Sequence, residues 1–240
     1  MNSLKCLILL AVLDPNLARL AWQTKRYKKT YLGYSEILSL IRNYLTVYKR
    51  YRKPFDCAEF GVGRGGSAQI LAFLTNRYGG RLVLFDVFGL IPHPTEIDGV
   101  KAIERYKYII ESEGDDYYGN IPHLKELIIN DISRVCDLSK VEFIEGEYEH
   151  KLRELIEKRS FGFVHIDCDW YESYKAVINY LENNIGKSAI LQLDDYLTWE
   201  GTARIVAETK WLSTYKKWIV NTALVIDTAQ YETPKYDKIT

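Results

Sequence analysis

The chain predicts an α/β fold: a mostly parallel β-sheet with helices on both faces, preceded by a helical N-terminal extension over residues 1–50. Three features predict it. Short β-branched and aromatic runs alternate with helical stretches, the pattern of repeated strand–helix–strand units. A glycine-rich turn, residues 61–66, lies between the first such run and a helical stretch. Acidic residues close two later runs, at the sheet edge where ligands bind in such folds.

The elements follow in order. Leu4 to Leu13 is apolar, too short to span a bilayer and without a small-residue cleavage site after it, so it reads as a packed helix. Ser35 to Lys49 sets Ile37, Leu38, Ile41, Tyr44, Leu45 and Tyr48 on one helical stripe. Strands are expected at Phe55–Phe60, Arg81–Phe85, Val141–Ile144, Phe161–Ile166 and Ser188–Leu193. Between and after them, helices are expected at Ser67–Tyr78, Val100–Glu111, Glu149–Lys158, Glu172–Asn183 and Thr202–Lys210. Trp218–Val220 and Ala223–Ile226 flank Asn221 as one bent strand or a short hairpin. Residues 88–140 make a long connection that carries Tyr106, Tyr108, Tyr117, Tyr118 and the flexible Glu113–Asp116 stretch, the marks of a substrate lid or of a crossover helix with a surface loop.

The chain of 240 residues reads as one domain, 1–240, with no repeat or glycine- and proline-rich linker. Lysine plus arginine equals aspartate plus glutamate, 32 each, so the overall field favours neither nucleic acid nor a membrane surface. A local site on a small molecule must supply specificity. Cys6, Cys57, Cys136 and Cys168 form no CxxC pair, which argues against zinc and disulfides and for a reducing cytoplasm. The apolar first helix offers a contact for a homo-oligomer.

Glu59-Phe60-Gly61-Val62-Gly63-Arg64-Gly65-Gly66-Ser67 joins the first strand to a helix, and its glycines let backbone approach a ligand closely. The pattern also fits a dinucleotide site. The acid Glu59 and the compact loop with Gly65 tilt the reading to S-adenosylmethionine, whose methionine end is cationic. Asp86 ends the next strand, twenty residues past Gly66, placed to accept hydrogen bonds from ribose hydroxyls.

Asp167 and Asp169 follow one strand and Asp194 and Asp195 the next. In a parallel sheet these strand ends are neighbours, so four carboxylates converge, and a hard divalent cation, most simply magnesium, relieves their repulsion. Helix capping by Asp169 and Asp195 is the competing explanation for part of the set. His165, on an apolar strand, reads as facing the sheet's other side or a buried partner more readily than as a general base.

With these clusters located, the chain resembles the macrocin O-methyltransferase (TylF-like) family of class I, Rossmann-like methyltransferases, which act on sugars of macrolide and aminocoumarin antibiotics. The resemblance rests on Ala58 to Ser67, Phe85-Asp86-Val87-Phe88-Gly89-Leu90-Ile91-Pro92, Asp167-Cys168-Asp169-Trp170-Tyr171-Glu172-Ser173 and Asp194-Asp195-Tyr196, and runs from about Thr30 to Thr209. It implies an S-adenosylmethionine- and Mg2+-dependent O-methyltransferase acting on a hydroxyl of a sugar or glycoside. By similarity, Asp167, Asp194 and Asp195 are metal ligands and Asp169 is the general base. Glu59, Gly61, Gly63 and Asp86 fall in the cofactor motifs, with Gly65 and Ser67 in the same loop. Two departures stand out: Tyr174 where threonine is frequent, expected to reshape the acceptor wall, and Lys151 where threonine is common, expected to alter a helix start beside the adenine pocket.

Three rivals remain at this point. Asp167-Cys168-Asp169 is also the DxD of metal-dependent glycosyltransferases. A nicotinamide-dependent oxidoreductase explains the glycines and leaves Asp194 and Asp195 without a purpose. A non-catalytic cofactor-binding module would need neither pair of acids. A catechol, with adjacent hydroxyls, competes with a sugar as acceptor.

Overall fold

The computed structural model describes residues 2–111, 120–155 and 157–229. Helices α1 (Ser3–Leu13) and α2 (Pro15–Arg26) pack on each other ahead of α3 (Tyr34–Tyr51). Between α1 and α2, Asp14 caps the second helix through a 2.7 Å bond from Asn16 N–H, and Pro15 opens its first turn. Only part of α1 is covered. Cys6 and Leu10 are buried, while Leu4, Ile8 and Val12 are exposed.

Seven strands form one sheet: β1 (Asp56–Phe60), β2 (Leu82–Asp86), β3 (Val141–Glu145), β4 (Phe161–Ile166), β5 (Ile185–Leu193), β6 (Lys216–Val220) and β7 (Ala223–Asp227). Their spatial order is β3-β2-β1-β4-β5-β7-β6. The first five pair in parallel, and β7 joins β5 antiparallel with β6 as its hairpin partner. The segments flanking Asn221 are therefore a hairpin, with Asn221 itself in the left-handed region at φ 55°. β2, β4 and β7 are buried along their whole length, as strands covered on both faces must be.

The chain leaves β1 for β2 and β3 on one side and then crosses to β4 on the other. That reversal opens a crevice at the carboxyl ends of β1 and β4. One face of the sheet is covered by α3, α4 (Gly66–Tyr78) and α6 (Leu124–Ser133), the other by α7 (Tyr148–Glu154), α8 (Tyr171–Leu181) and α9 (Glu200–Glu208). α7 ends four residues before the expected Lys158. Leu155 is extended there because the chain must return to β4, where Asn184 Oδ1 accepts the Arg159 N–H at 2.8 Å.

Within residues 88–140, the expected helix at Val100–Glu111 is present as α5, and α6 adds a second one. The first half of this connection is docked. Ala102, Tyr106 and Ile109 of α5 form a hydrophobic cluster with Trp170 and Trp199. Asp98 is buried, accepting from Thr95 N–H (2.8 Å) and from Tyr171 N–H (2.6 Å) at the start of α8. The Glu113–Asp116 stretch with Tyr117 and Tyr118 lies outside the described residues.

Candidate active site

Strand register builds the site. Phe60, Ile166 and Leu193 stand level across β1, β4 and β5, so the residues that follow them emerge side by side. Asp167 N–H donates to Phe60 O (2.8 Å) and Asp194 N–H to Ile166 O (2.9 Å), extending the ladder one step beyond the strands. Gly61 closes against this edge. Its φ is +87°, and a Cβ there would overlap the Asp167 carbonyl, so only glycine lets the turn after β1 lie this close to β4.

The glycine loop is pinned from two sides. Asp86 Oδ2 accepts from Val62 N–H (2.5 Å) and Gly63 N–H (3.0 Å), and its Oδ1 from Phe88 N–H (2.7 Å). Burial raises the Asp86 carboxyl, and these backbone donors oppose the rise. From the other side, Gly66 N–H donates to Lys29 O at 2.9 Å, and a Cβ on Gly66 would strike Lys29 O and Thr30. The segment Lys29–Leu32 is thus a strap laid across the loop. Lys29 also pairs with Asp131 of α6 at 2.5 Å.

A cavity of about 270 Å³ opens between these parts. The strap, Gly61–Arg64, Ser67, Asp86 and Glu147–Glu149 wall one side; Asp167–Asp169, Ser173, Asp194, Asp195, Thr198 and Thr222 wall the other. Of the sequence-predicted residues, Gly61, Gly63, Ser67, Asp86, Asp167, Asp169, Asp194 and Asp195 meet at this one cavity. Glu59 and Gly65 are not part of its wall. Glu59 is fully buried on β1, its Oε1 2.8 Å from His165 Nδ1, and Gly65 packs toward Ile128. His165 is therefore a buried partner. Burial raises the Glu59 carboxyl; burial also pulls His165 down, but the Glu59 contact overcomes it and holds the ring up at about 9. The pair keeps a proton at neutral pH.

The acids behave differently from Asp86. One oxygen from each of Asp167, Asp194 and Asp195 lies within 4.8 Å of the others, and Asp194 Oδ1 is buried with no hydrogen-bond partner. Burial raises all three carboxyls, with mutual repulsion adding to the rise for Asp194 and Asp195. Such a set fits a hard cation with oxygen ligands. Asp169 stands apart because the chain turns at Cys168: its φ is +58°, and Trp170 N–H donates back to Cys168 O. Burial first, then the Asp167 charge, push its carboxyl up to about 8. Neither Asp169 nor Asp195 caps a helix, since Trp170 and Trp199 hold the N-cap positions of α8 and α9 without a side-chain cap.

Residues 27–222 match the macrocin-O-methyltransferase (TylF) family. The chain belongs to that family. It is accordingly an O-methyltransferase, which removes the glycosyltransferase, oxidoreductase and silent-module readings. No curated protein sequence matches it significantly. Among solved structures it is similar to the O-methyltransferase NovP, at 17% identity and a TM-score of 0.70 over 84% of this chain and 82% of that one. It is also similar to CalS11, the calicheamicin methyltransferase, at 19% identity and 0.60 over 90% and 94%. A third likeness is to SAH-bound PaMTH1 of Podospora anserina, at 12% identity and 0.55 over 90% and 88%. These likenesses show the class I, Rossmann-like fold.

Sequence reasoning missed the strap, Tyr148, Thr198 and Thr222. For α2 behind the strap a signal existed, the Asp14-Pro15 start. Tyr174 does not reach the cavity wall. It is fully buried, its hydroxyl donating to Ile166 O at 2.9 Å, so the expected reshaping of the acceptor wall is absent. Lys151 lies within α7, its N–H bonded to Glu147 O and its Nζ to Glu154 at 2.8 Å.

Proposed function

We propose that this single-domain protein, 1–240, transfers the methyl group of S-adenosylmethionine to a hydroxyl of a sugar or glycosylated small molecule, assisted by magnesium. The observation that carries this reading is the meeting of a glycine loop and a half-buried cluster of carboxylates in one cavity. The CalS11 protein is a TDP-rhamnose 3'-O-methyltransferase, which supports a sugar acceptor here. A catechol fits the same chemistry, and an acceptor screen separates the two.

Gly61, Gly63, Gly65, Ser67, Glu59 and Asp86 form or support the donor pocket. Gly63, at φ +51°, leaves open space where a Cβ would stand, room for a ligand to approach the backbone. Glu59, buried behind the loop, supports it through its contact with His165 on the neighbouring strand β4. Asp167, Asp194 and Asp195 would hold the metal. When bound, such a cation lowers the pKa of a coordinated hydroxyl and fixes its direction. Asp169 receives the proton as the acceptor oxygen takes the methyl group; the sulfur–carbon bond breaks and S-adenosylhomocysteine leaves. The raised Asp169 carboxyl suits a base working near neutral pH. The exposed stripe of α1 supports a homo-oligomer, checked by sedimentation of a Leu4→Lys, Ile8→Lys variant. Four free cysteines support a cytoplasmic setting.

Calorimetric titration with S-adenosylhomocysteine, with and without Mg2+, tests the reading. Binding weakened by Asp86→Ala and little changed by Asp167→Asn is the expected result; no binding under any condition overturns it.

A further inference from the structure

Asp169 is held in an uncommon state. A non-glycine residue at φ +58° costs free energy and persists only where its surroundings fix it. Three hydrogen bonds do so. The Asp169 N–H donates to Asp195 Oδ2 at 3.2 Å, Thr202 Oγ1 donates to the Asp169 carbonyl at 3.3 Å, and the Trp199 indole Nε1–H donates to Asp169 Oδ1 at 3.1 Å.

Only the last of these sets the direction of the carboxylate. Trp199 is itself immobilised. It is nearly buried, its ring centroid lies 5.5 Å from that of Trp170 in the α5 cluster, and Lys101 Nζ sits 5.3 Å over its face. Its own N–H donates to Asp195 O at 3.2 Å, so the loop from Asp195 to Trp199 returns the indole to the acid beside the proposed metal ligands. Trp199 is not part of the cavity wall, whereas Asp169 is. The indole therefore reaches the acid from outside the cavity.

We propose that Trp199 is the positioning residue of the proton acceptor: its indole N–H fixes Asp169 Oδ1 and leaves Oδ2 to take the proton from the acceptor hydroxyl. This rests on the reading of Asp169 as the base. The inference also gives the docked half of the 88–140 connection a role, since α5 packs the indole and thereby holds the acid through it.

The test compares crystal structures with S-adenosylhomocysteine bound for the parent and for Trp199→Phe, which keeps an aromatic ring and loses the donor. A second variant carries benzothienylalanine at position 199, which keeps the indole shape and replaces the N–H by sulfur. In both, the Asp169 carboxylate is expected to leave its single orientation while S-adenosylhomocysteine affinity stays within about twofold, because the donor pocket is untouched. With TDP-rhamnose as probe acceptor, kcat is expected to fall by roughly ten- to a hundredfold with KM little changed. In an Asp169→Asn background the position-199 changes are expected to cost nothing further. An Asp169 carboxylate that keeps its place in both variants overturns the proposal. Full turnover in Asp169→Asn alone would instead remove the base assignment, and the crystal comparison would still decide whether Trp199 holds the side chain.

Discussion

Asp86 at the end of β2 and Asp194 just past the end of β5 stand at corresponding places in one sheet, yet their surroundings oppose each other. The turn after β2 and the glycine loop curl toward Asp86 and give its carboxylate three backbone N–H donors. The turn after β5 gives Asp194 Oδ1 none, and sets Asp195 and Asp167 beside it. The same residue type at the same edge is thus a structural clamp in one half of the cavity and concentrated negative charge in the other. Backbone donors have made the first self-sufficient; the second calls for a counter-charge.

Substitutions in the two halves of the cavity separate these roles. Asp169→Asn should lower turnover by about 10²- to 10⁴-fold, the usual contribution of a positioned base, with S-adenosylhomocysteine affinity retained in calorimetry. Gly61→Ala joins both halves in one defect, because the added Cβ meets the Asp167 carbonyl and the φ is left-handed. A loss of roughly 3 kcal/mol is expected in denaturant melts, together with loss of both donor and metal binding. Asp86→Ala strips the loop of its clamp and should cost about 2 kcal/mol of stability by the same melts, since bonds to a buried charge are lost. Asp194→Asn in metal-free protein has the opposite sign. Removing one of several mutually repelling carboxylates should add about 1 kcal/mol to the stability in the same melts, and a fall in stability would show that the acids do not repel one another.

Part of this was legible in one dimension. The strand ends could be read because each acid adjoins its strand in sequence, so Asp167, Asp194, Asp195 and Asp86 fall where the parallel arrangement puts them. The alternation of elements needed no tertiary information either. What escaped were contacts between distant segments. Gly66 meets Lys29 and Trp199 meets Asp169 only after the sheet has folded, and no local pattern encodes such a meeting. His165 was readable as buried, but its pairing with Glu59 required the β1–β4 register. Tyr174 misled because it departs from the family motif next to the acids, whereas the helix turns its ring inward, away from the cavity wall.

The strap has a consequence for how the protein is made. Lys29 to Leu32 leaves the ribosome well before the loop it covers, and Gly66 follows Lys29 by 37 residues. During synthesis the Lys29 carbonyl lacks its Gly66 N–H donor until β1 and the glycine turn emerge, and the acids of β4 and β5 arrive some hundred residues later still. Domains fold as units while synthesis proceeds from the N-terminus. This wall of the cavity is therefore translated first and placed late, and a nascent chain halted after α4 would carry every residue of the strap–loop contact while lacking the sheet neighbours that fix it.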